Sequence, residues 1–227
     1  MHPFPALIEL TRDALRFSAT RATPLFIVVL VRVVPFYVLM YLLPVADPGM
    51  QALIETAILV PAIAAIIRYV WASTSGIELS PTDAVLGTNS EETLRLLGTS
   101  LLVVSIHMFF AGGGIIVFYS IGLIWGWMTL VVDPVVIIEE KTFFNAISRS
   151  IELVRTTVPL TIGVVAVVTL PQAAIVILYQ TLDETIVREI VTRGLTLAFL
   201  PVIVVFQTML YERYFSQEST VEHEHDE

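Results

Sequence analysis

The stretch Val158–Gln180 contains no charged side chain, and most of its residues are apolar. A helix over this stretch is about 34 Å long at about 1.5 Å per residue, which is enough to cross a hydrocarbon core of about 30 Å. The whole chain is 56% hydrophobic and 15% charged, with a mean hydropathy of +0.83, whereas a soluble domain carries about 25% charged residues. We therefore predict an all-α fold, namely a polytopic transmembrane helix bundle.

About six segments have the length and apolarity of spanning helices. The third and fourth are separated at Gly112–Gly114, because residues 94–138 are nearly uncharged and twice as long as one span needs. Asp183–Arg193 is predicted to be a polar connection between the last two. The segments are Pro24–Ala46, Gln51–Ala72, Leu94–Ala111, Ile115–Val132, Val158–Gln180 and Gly194–Tyr211.

Two further segments have the pattern of amphipathic helices that lie on a bilayer surface. In the first, Phe4–Arg21, apolar and charged residues form separate stripes. The second begins after Thr142 and is predicted to bury one face while exposing the other. Its apolar stripe is Ile147, Ile151, Val154 and Val158, and its polar stripe is Asn145, Arg149, Glu152 and Arg155.

The domain prediction is one integral membrane domain over residues 1–215, followed by an acidic, disordered tail over residues 216–227. Residues 4–72 and 143–214 resemble each other as two repeat units, since Ala14–Ser18 is echoed by Ala146–Ser150 and prolines recur at similar spacings. Such units would be parallel repeats. The alternative is that proline is simply frequent in membrane helices.

Basic residues are distributed unequally between the two predicted sides. Nine lie on the side of the termini and only two, Arg188 and Arg193, lie opposite. Because cytoplasmic segments are enriched in lysine and arginine, both termini are predicted to be cytoplasmic in a plasma-membrane protein. The nine are Arg12, Arg16, Arg21, Arg68, Arg95, Lys141, Arg149, Arg155 and Arg213.

Two short motifs resemble a known family. Pro134–Glu139, Pro-Val-Val-Ile-Ile-Glu, precedes Ala146–Leu153, which contains Ala-Ile-Ser-Arg-Ser, and Thr208–Tyr211 precedes the closing basic residue. The pattern resembles the six-span membrane domain that accompanies some glycerophosphodiester phosphodiesterases and also occurs in stand-alone prokaryotic membrane proteins of unknown function. The resemblance implies an architecture and no catalytic residues, and the sequence contains no soluble phosphodiesterase domain.

Motifs for catalysis are missing from the sequence. It has no cysteine, no Gly-x-Ser-x-Gly, no His-Glu-x-x-His and no glycine-rich phosphate loop or dinucleotide fingerprint. We therefore expect no enzyme activity, cofactor or metal. The formal net charge of −9 argues against nucleic acid as a partner, so membrane lipids, a second copy of the chain or another membrane protein are the expected partners.

Four residues are predicted to form an intramembrane polar cluster: Arg32, Arg68, Asp133 and His107. Depth along the spans favours an Arg32–Asp133 ion pair, with Arg68 sharing the carboxylate or extending to the interface. His107 is either a proton relay or, more commonly in such a position, a neutral group that bonds to a neighbouring helix.

Three basic residues on the cytoplasmic side, Lys141, Arg149 and Arg155, are predicted to contact lipid headgroups, or to serve as a general positive-inside anchor. Separately, Gly122 and Gly126 form a small-xxx-small pair, which predicts close packing of the fourth span against another helix.

These patterns predict a non-enzymatic accessory or lipid-handling module of the membrane. One alternative is a small-solute or ion transporter, in which proline-broken helices surround a midplane site. Another is an enzyme that acts on lipid headgroups at the inner surface, which would require acids such as Asp133, Glu139 and Glu140 to converge.

Overall fold

The computed structural model describes residues 3–42, 48–111, 123–182 and 185–216. All regular secondary structure in these ranges is helical, in agreement with the predicted all-α class. The elements are α1 (Pro3–Thr20), α2 (Ala22–Leu42), α3 (Pro48–Thr74), α4 (Pro81–Leu86), α5 (Ser90–Ala111), α6 (residues 123–128), α7 (Val132–Ile138), α8 (Phe143–Thr156), α9 (Val158–Thr181) and α10 (Thr185–Tyr214).

Three of the described helices are long and apolar enough to cross a membrane, or four if α1 and α2 together form one bent span. This is fewer than the predicted six. The charges Glu91, Glu92 and Arg95 occupy the start of α5, so its charge-free part is only about 24 Å long. Leu123–Ile138 is too short to count, while the predicted glycine turn and the first residues of the fourth span lie outside the described ranges.

The polar segment before the last span is not a loop. α10 begins at Thr185 and continues without interruption to Tyr214, so the predicted connection Asp183–Arg193 is wrong over most of its length. A helix satisfies its own backbone hydrogen bonds whatever side chains it carries. The charged residues therefore extend the last helix beyond its apolar part.

Prolines mark the points where the surface helices meet the long ones. The chain bends by 72° between α1 and the first part of α2, and Pro24 lies in the first turn of α2, where it cannot donate a hydrogen bond to the end of α1. Between α8 and α9 the break falls at Thr157, and Pro159 occupies the corresponding early position in α9. The order of surface helix, proline break and long helix therefore occurs twice.

α3 and α10 form the centre of the bundle. They pack against each other, and 50% of the residues in the apolar part of each are buried, compared with 22% for α9. Pro61 and Pro201 lie inside these helices, yet both helices continue through them. Neither helix is broken at its proline, and α9 likewise continues through Pro171.

α1 lies against this core. Its buried residues are Ala6, Leu10, Ala14 and Ser18, and it packs on α9 and α10. A Cβ placed on Gly163 of α9 would lie 2.6 Å from a methyl group of Leu7. Glycine at this position is what allows α1 and α9 to approach closely.

Gly126 has no packing neighbour among the described residues. A Cβ there would have no atom of those residues within 4 Å, and the neighbouring Leu123 and Ile124 are exposed. Its partner in the predicted motif, Gly122, lies outside the described residues. Gly98 of α5 makes the close approach instead, because a Cβ there would lie 2.7 Å from the ring of Phe143 at the start of α8.

Candidate functional site

Among the described residues, most charged side chains lie at one end of the bundle, which we call the polar end. It contains α1, residues 75–90, residues 139–157 and the C-terminal turns of α3 and α10. Two contacts tie α1 and the joint after it to the core helices: Arg213 donates a 2.8 Å hydrogen bond to Asp13, and Arg21 donates one of 3.3 Å to the hydroxyl of Tyr69. The hydrogen bond from Arg213 holds the pKa of Asp13 below its usual range.

The segment after α3, residues 75–90, turns back sharply towards the bundle, and we call it the returning segment. Gly76 has a φ of +75°, which is a conformation that glycine adopts without steric cost. The amide of Ile77 bonds to the carbonyl of Ala72 at 2.8 Å, as in a Schellman helix end. Ser80 then caps α4 by accepting a hydrogen bond from the amide of Asp83.

Two arginines from the long helices hold this returning segment in place. Arg32 of α2 donates a hydrogen bond to the carbonyl of Val85, and Arg68 of α3 donates one to the carbonyl of Gly87. Guanidinium groups thus meet the carbonyl end of α4, where cations are favourable. Arg68 also forms a 3.0 Å ion pair with Glu92, whose side chain is 9% exposed.

A buried ion cluster surrounds Glu139, whose side chain is 9% exposed. Its carboxylate lies 3.1 Å from the ammonium of Lys141 and 3.5 Å from the guanidinium of Arg149, and it accepts a 2.7 Å hydrogen bond from the hydroxyl of Tyr211. Arg149 is also 3.0 Å from Glu152. The cluster connects α10 to the turn between α7 and α8.

An open groove of about 620 Å³ lies beside α4. It is bounded by the joint between α1 and α2, the last turns of α3 and the returning segment. Its lining combines charged, hydroxyl and apolar groups: Arg21, Tyr69, Ser73, Gly76, Ile77, Glu78, Leu79, Ser80, Pro81 and Asp83.

The predicted intramembrane cluster of Arg32, Arg68, Asp133 and His107 is not brought together by hydrogen bonds or ion pairs among the described residues. Asp133 instead accepts a long hydrogen bond of 3.4 Å from Ser100, and His107 is exposed on α5. The predicted pair of Arg32 with Asp133 is therefore wrong. Backbone carbonyls of the returning segment bond to Arg32 and Arg68 instead. The spacing of apolar residues in the sequence does not indicate where this segment lies.

The three predicted headgroup contacts have different environments. Arg155 is exposed and has no partner within the described ranges, and the side chain of Lys141 is 39% exposed. Arg149 is only 6% exposed, so its predicted contact with headgroups is wrong. α8 buries Ala146, Ser150 and Leu153. Arg149 lies on the same side because it is three residues after Ala146 and four residues before Leu153.

The opposite end of the bundle also has an ion pair, in which Glu55 of α3 lies 3.6 Å from Arg193 of α10. Each residue lies in the N-terminal part of its helix, so α3 and α10 run in the same direction. This ion pair therefore lies at the end of the bundle away from the Asp13–Arg213 contact.

Several groups at the polar end were not identified from the sequence. Tyr69 and Tyr211 have the positions of ordinary interfacial aromatics, yet both are almost fully buried, at 2% and 1% exposure, with their hydroxyls hydrogen-bonded. Their positions one or two turns before the ends of α3 and α10 were the available signal, because a buried tyrosine hydroxyl requires a polar partner.

The acidic residues considered for catalysis do not converge. Asp133 bonds to Ser100, Glu139 lies in the ion cluster, and the side chain of Glu140 is 71% exposed. In the part of the chain that the structure describes, no group of histidine and acidic residues is arranged to hold a metal.

Comparison with known protein families, with curated proteins and with solved structures finds no match.

Proposed function

We propose that this protein is a non-enzymatic integral membrane protein of the cytoplasmic membrane that recognises lipids at its polar end. In this proposal the chain has six spans, and both termini and the polar end face the cytoplasm. The observation that carries the proposal is the division of α1 into three faces, each suited to a different environment.

α1 has a buried face, an apolar exposed face and a charged face. The buried face packs on the bundle. Phe4, Ile8 and Leu15 are 71%, 53% and 53% exposed, and they lie on one stripe because they are spaced by four and seven residues. Glu9, Arg12 and Arg16 lie on another. A helix that contacts protein, acyl chains and headgroups at once belongs at the membrane interface.

α8 provides a second contact with the interface. Phe143 and Phe144 at its start are 47% and 72% exposed, and the exposed Arg155 lies in its last turn. Aromatic and basic side chains are the usual anchors at this depth. An arginine near an anionic surface contributes about 1 kcal/mol to membrane binding.

The basic asymmetry of the sequence supports the cytoplasmic orientation. Contacts at the polar end join α1 and the residue after it to α10 and α3, and join the turn before α8 to α5 and α10. Arg32 and Arg68 bond to the returning segment. These contacts support placing all of these parts on one side of the membrane. The motifs in Pro134–Glu139 and Ala146–Leu153 support kinship with the six-span membrane domain of glycerophosphodiester phosphodiesterases, which we retain as part of the proposal.

The test is native mass spectrometry of the purified full chain released from detergent micelles. We expect lipids from the host membrane to remain bound after collisional removal of detergent. A double variant, Phe4→Ser with Phe144→Ser, should retain fewer lipids, while Ile177→Ser, at a 62% exposed position near the far end of α9, serves as a control away from the polar end. Complete loss of lipid from the wild-type protein would contradict the proposal.

A further inference from the structure

We propose that the groove beside α4 binds a zwitterion that carries a phosphate and a primary ammonium, such as a phosphoethanolamine headgroup. The inference rests on the proposed role of the polar end in lipid recognition, and it names the ligand class and the residues that select it. Its basis is that the groove holds a cation and an anion that do not neutralise each other.

The cationic wall is formed by Arg21. Its side chain is exposed at the joint between α1 and α2, and one guanidinium nitrogen is directed to the hydroxyl of Tyr69. No carboxylate of the described ranges forms an ion pair with it. Because a guanidinium has five N–H donors in a planar fork, the remaining donors can bind the oxygens of a phosphate.

The anionic wall is formed by Glu78, which is exposed and has no ion-pair or hydrogen-bond partner in the described part of the chain. The other acid of the lining, Asp83, differs because it accepts a 2.6 Å hydrogen bond from Ser80. Glu78 is thus the carboxylate available to an ammonium. A primary ammonium has three donors and can bond to a carboxylate directly, whereas a quaternary one has none.

The size and the remaining lining of the groove fit a headgroup. A volume of about 620 Å³ falls within the range of about 300 to 1,000 Å³ found for small-molecule sites. Ile77, 52% exposed, contributes apolar surface next to the charged groups, as an amphipathic ligand requires. Outside the lining, Trp71 is 39% exposed one turn before the end of α3, and tryptophan is the type of residue that marks the membrane interface.

The experiment measures lipid retention by native mass spectrometry after the full chain is mixed with equal amounts of phosphatidylethanolamine, phosphatidylcholine and phosphatidylglycerol of identical acyl chains. We expect phosphatidylethanolamine to be retained roughly two- to fivefold over the other two, which is the size of effect that one exposed charge contact provides. Glu78→Gln should remove its advantage over phosphatidylcholine. Arg21→Gln should lower retention of all three phospholipids.

A matched control lies outside the groove. Glu91→Gln changes an exposed acid at the start of α5 and should leave the lipid preference unchanged. Circular dichroism of every variant should match that of the wild type, since Arg21, Glu78 and Glu91 are all exposed.

A second arm titrates soluble phosphoethanolamine into the detergent-solubilised protein and measures heat. Binding that Arg21→Gln and Glu78→Gln weaken, together with no retained lipid, would support the groove as a site for a soluble zwitterion and overturn the lipid role. Lipid retention that neither variant changes would overturn the groove while leaving lipid recognition standing. Binding in neither arm would overturn both.

Discussion

Arg149 is the residue whose replacement tests the buried ion cluster most sharply. Its side chain is 6% exposed and lies 3.5 Å from Glu139 and 3.0 Å from Glu152. Replacing it by methionine keeps most of the volume and removes the charge. Glu139 then loses one of its two cationic partners while it remains buried.

The size of the effect follows from the geometry. At an effective dielectric constant of about 20, two charges 3.5 Å apart attract by about 5 kcal/mol before desolvation is subtracted. Breaking a buried pair completely costs about 3 to 5 kcal/mol. Lys141 and Tyr211 still contact the carboxylate, so we expect Arg149→Met to lower the free energy of unfolding by about 2 to 3 kcal/mol.

The measurement is a double-mutant cycle with Arg149→Met, Glu139→Gln and the combination, read as the free energy of unfolding in mixed micelles. The double variant should lose about 1 to 3 kcal/mol less than the sum of the single losses. Arg155→Met, at an exposed position of the same helix, should stay within about 0.5 kcal/mol of the wild type. Additive losses, or an Arg149→Met effect no larger than this control, would refute the cluster.

Three further substitutions test the packing and the turn. Gly98→Ala should lower stability by about 1 kcal/mol or more because its Cβ would lie 2.7 Å from the ring of Phe143, whereas Gly126→Ala has open space and should be no less stable; equal losses by unfolding assay would contradict this assignment. Gly76→Ala places a side chain at a φ of +75°, so a loss of about 1 to 2 kcal/mol is expected, and an unchanged unfolding midpoint would show that the turn relaxes. Glu92→Gln removes the partner of a largely buried ion pair and should lower the thermal midpoint, in contrast to the exposed acid Glu91→Gln; identical midpoints would count against the pair.

The sequence predicts structure correctly where the spacing of apolar residues within one segment decides it. The two amphipathic helices follow from this spacing, and both segments are helical. These features depend on local sequence.

The errors concern contacts between segments distant in the chain. The apolar stripe of α8 was predicted as Ile147, Ile151, Val154 and Val158. Ile147 and Val154 are buried, but the buried face also includes Ala146, Ser150 and Leu153, and with them Arg149, which was predicted to be exposed. Arg32 was assigned a carboxylate by depth alone, whereas a backbone carbonyl, which any sequence carries, is its partner. The spacing of apolar residues in the sequence indicates neither the buried face of α8 nor the bonding partner of Arg32.

Gly126 illustrates the same limit. A small-xxx-small pattern indicates that close approach is sterically permitted, but it does not indicate that a neighbouring helix is present. Gly98 and Gly163 have no such pattern, yet a methyl group at either position would lie within 3 Å of a side chain from another helix. Packing partners are set by the fold as a whole.

The most direct test of the proposed orientation is thiol labelling of single cysteines, since the chain has none of its own. Thr82→Cys and Ser148→Cys place exposed thiols at the polar end. Thr181→Cys places one at the far end of α9, about 36 Å from the start of that helix. With an impermeant reagent added to intact cells, we expect only Thr181→Cys to react, and all three to react after permeabilisation. Labelling of Thr82→Cys and Ser148→Cys in intact cells, with Thr181→Cys protected, would contradict the cytoplasmic orientation of the polar end.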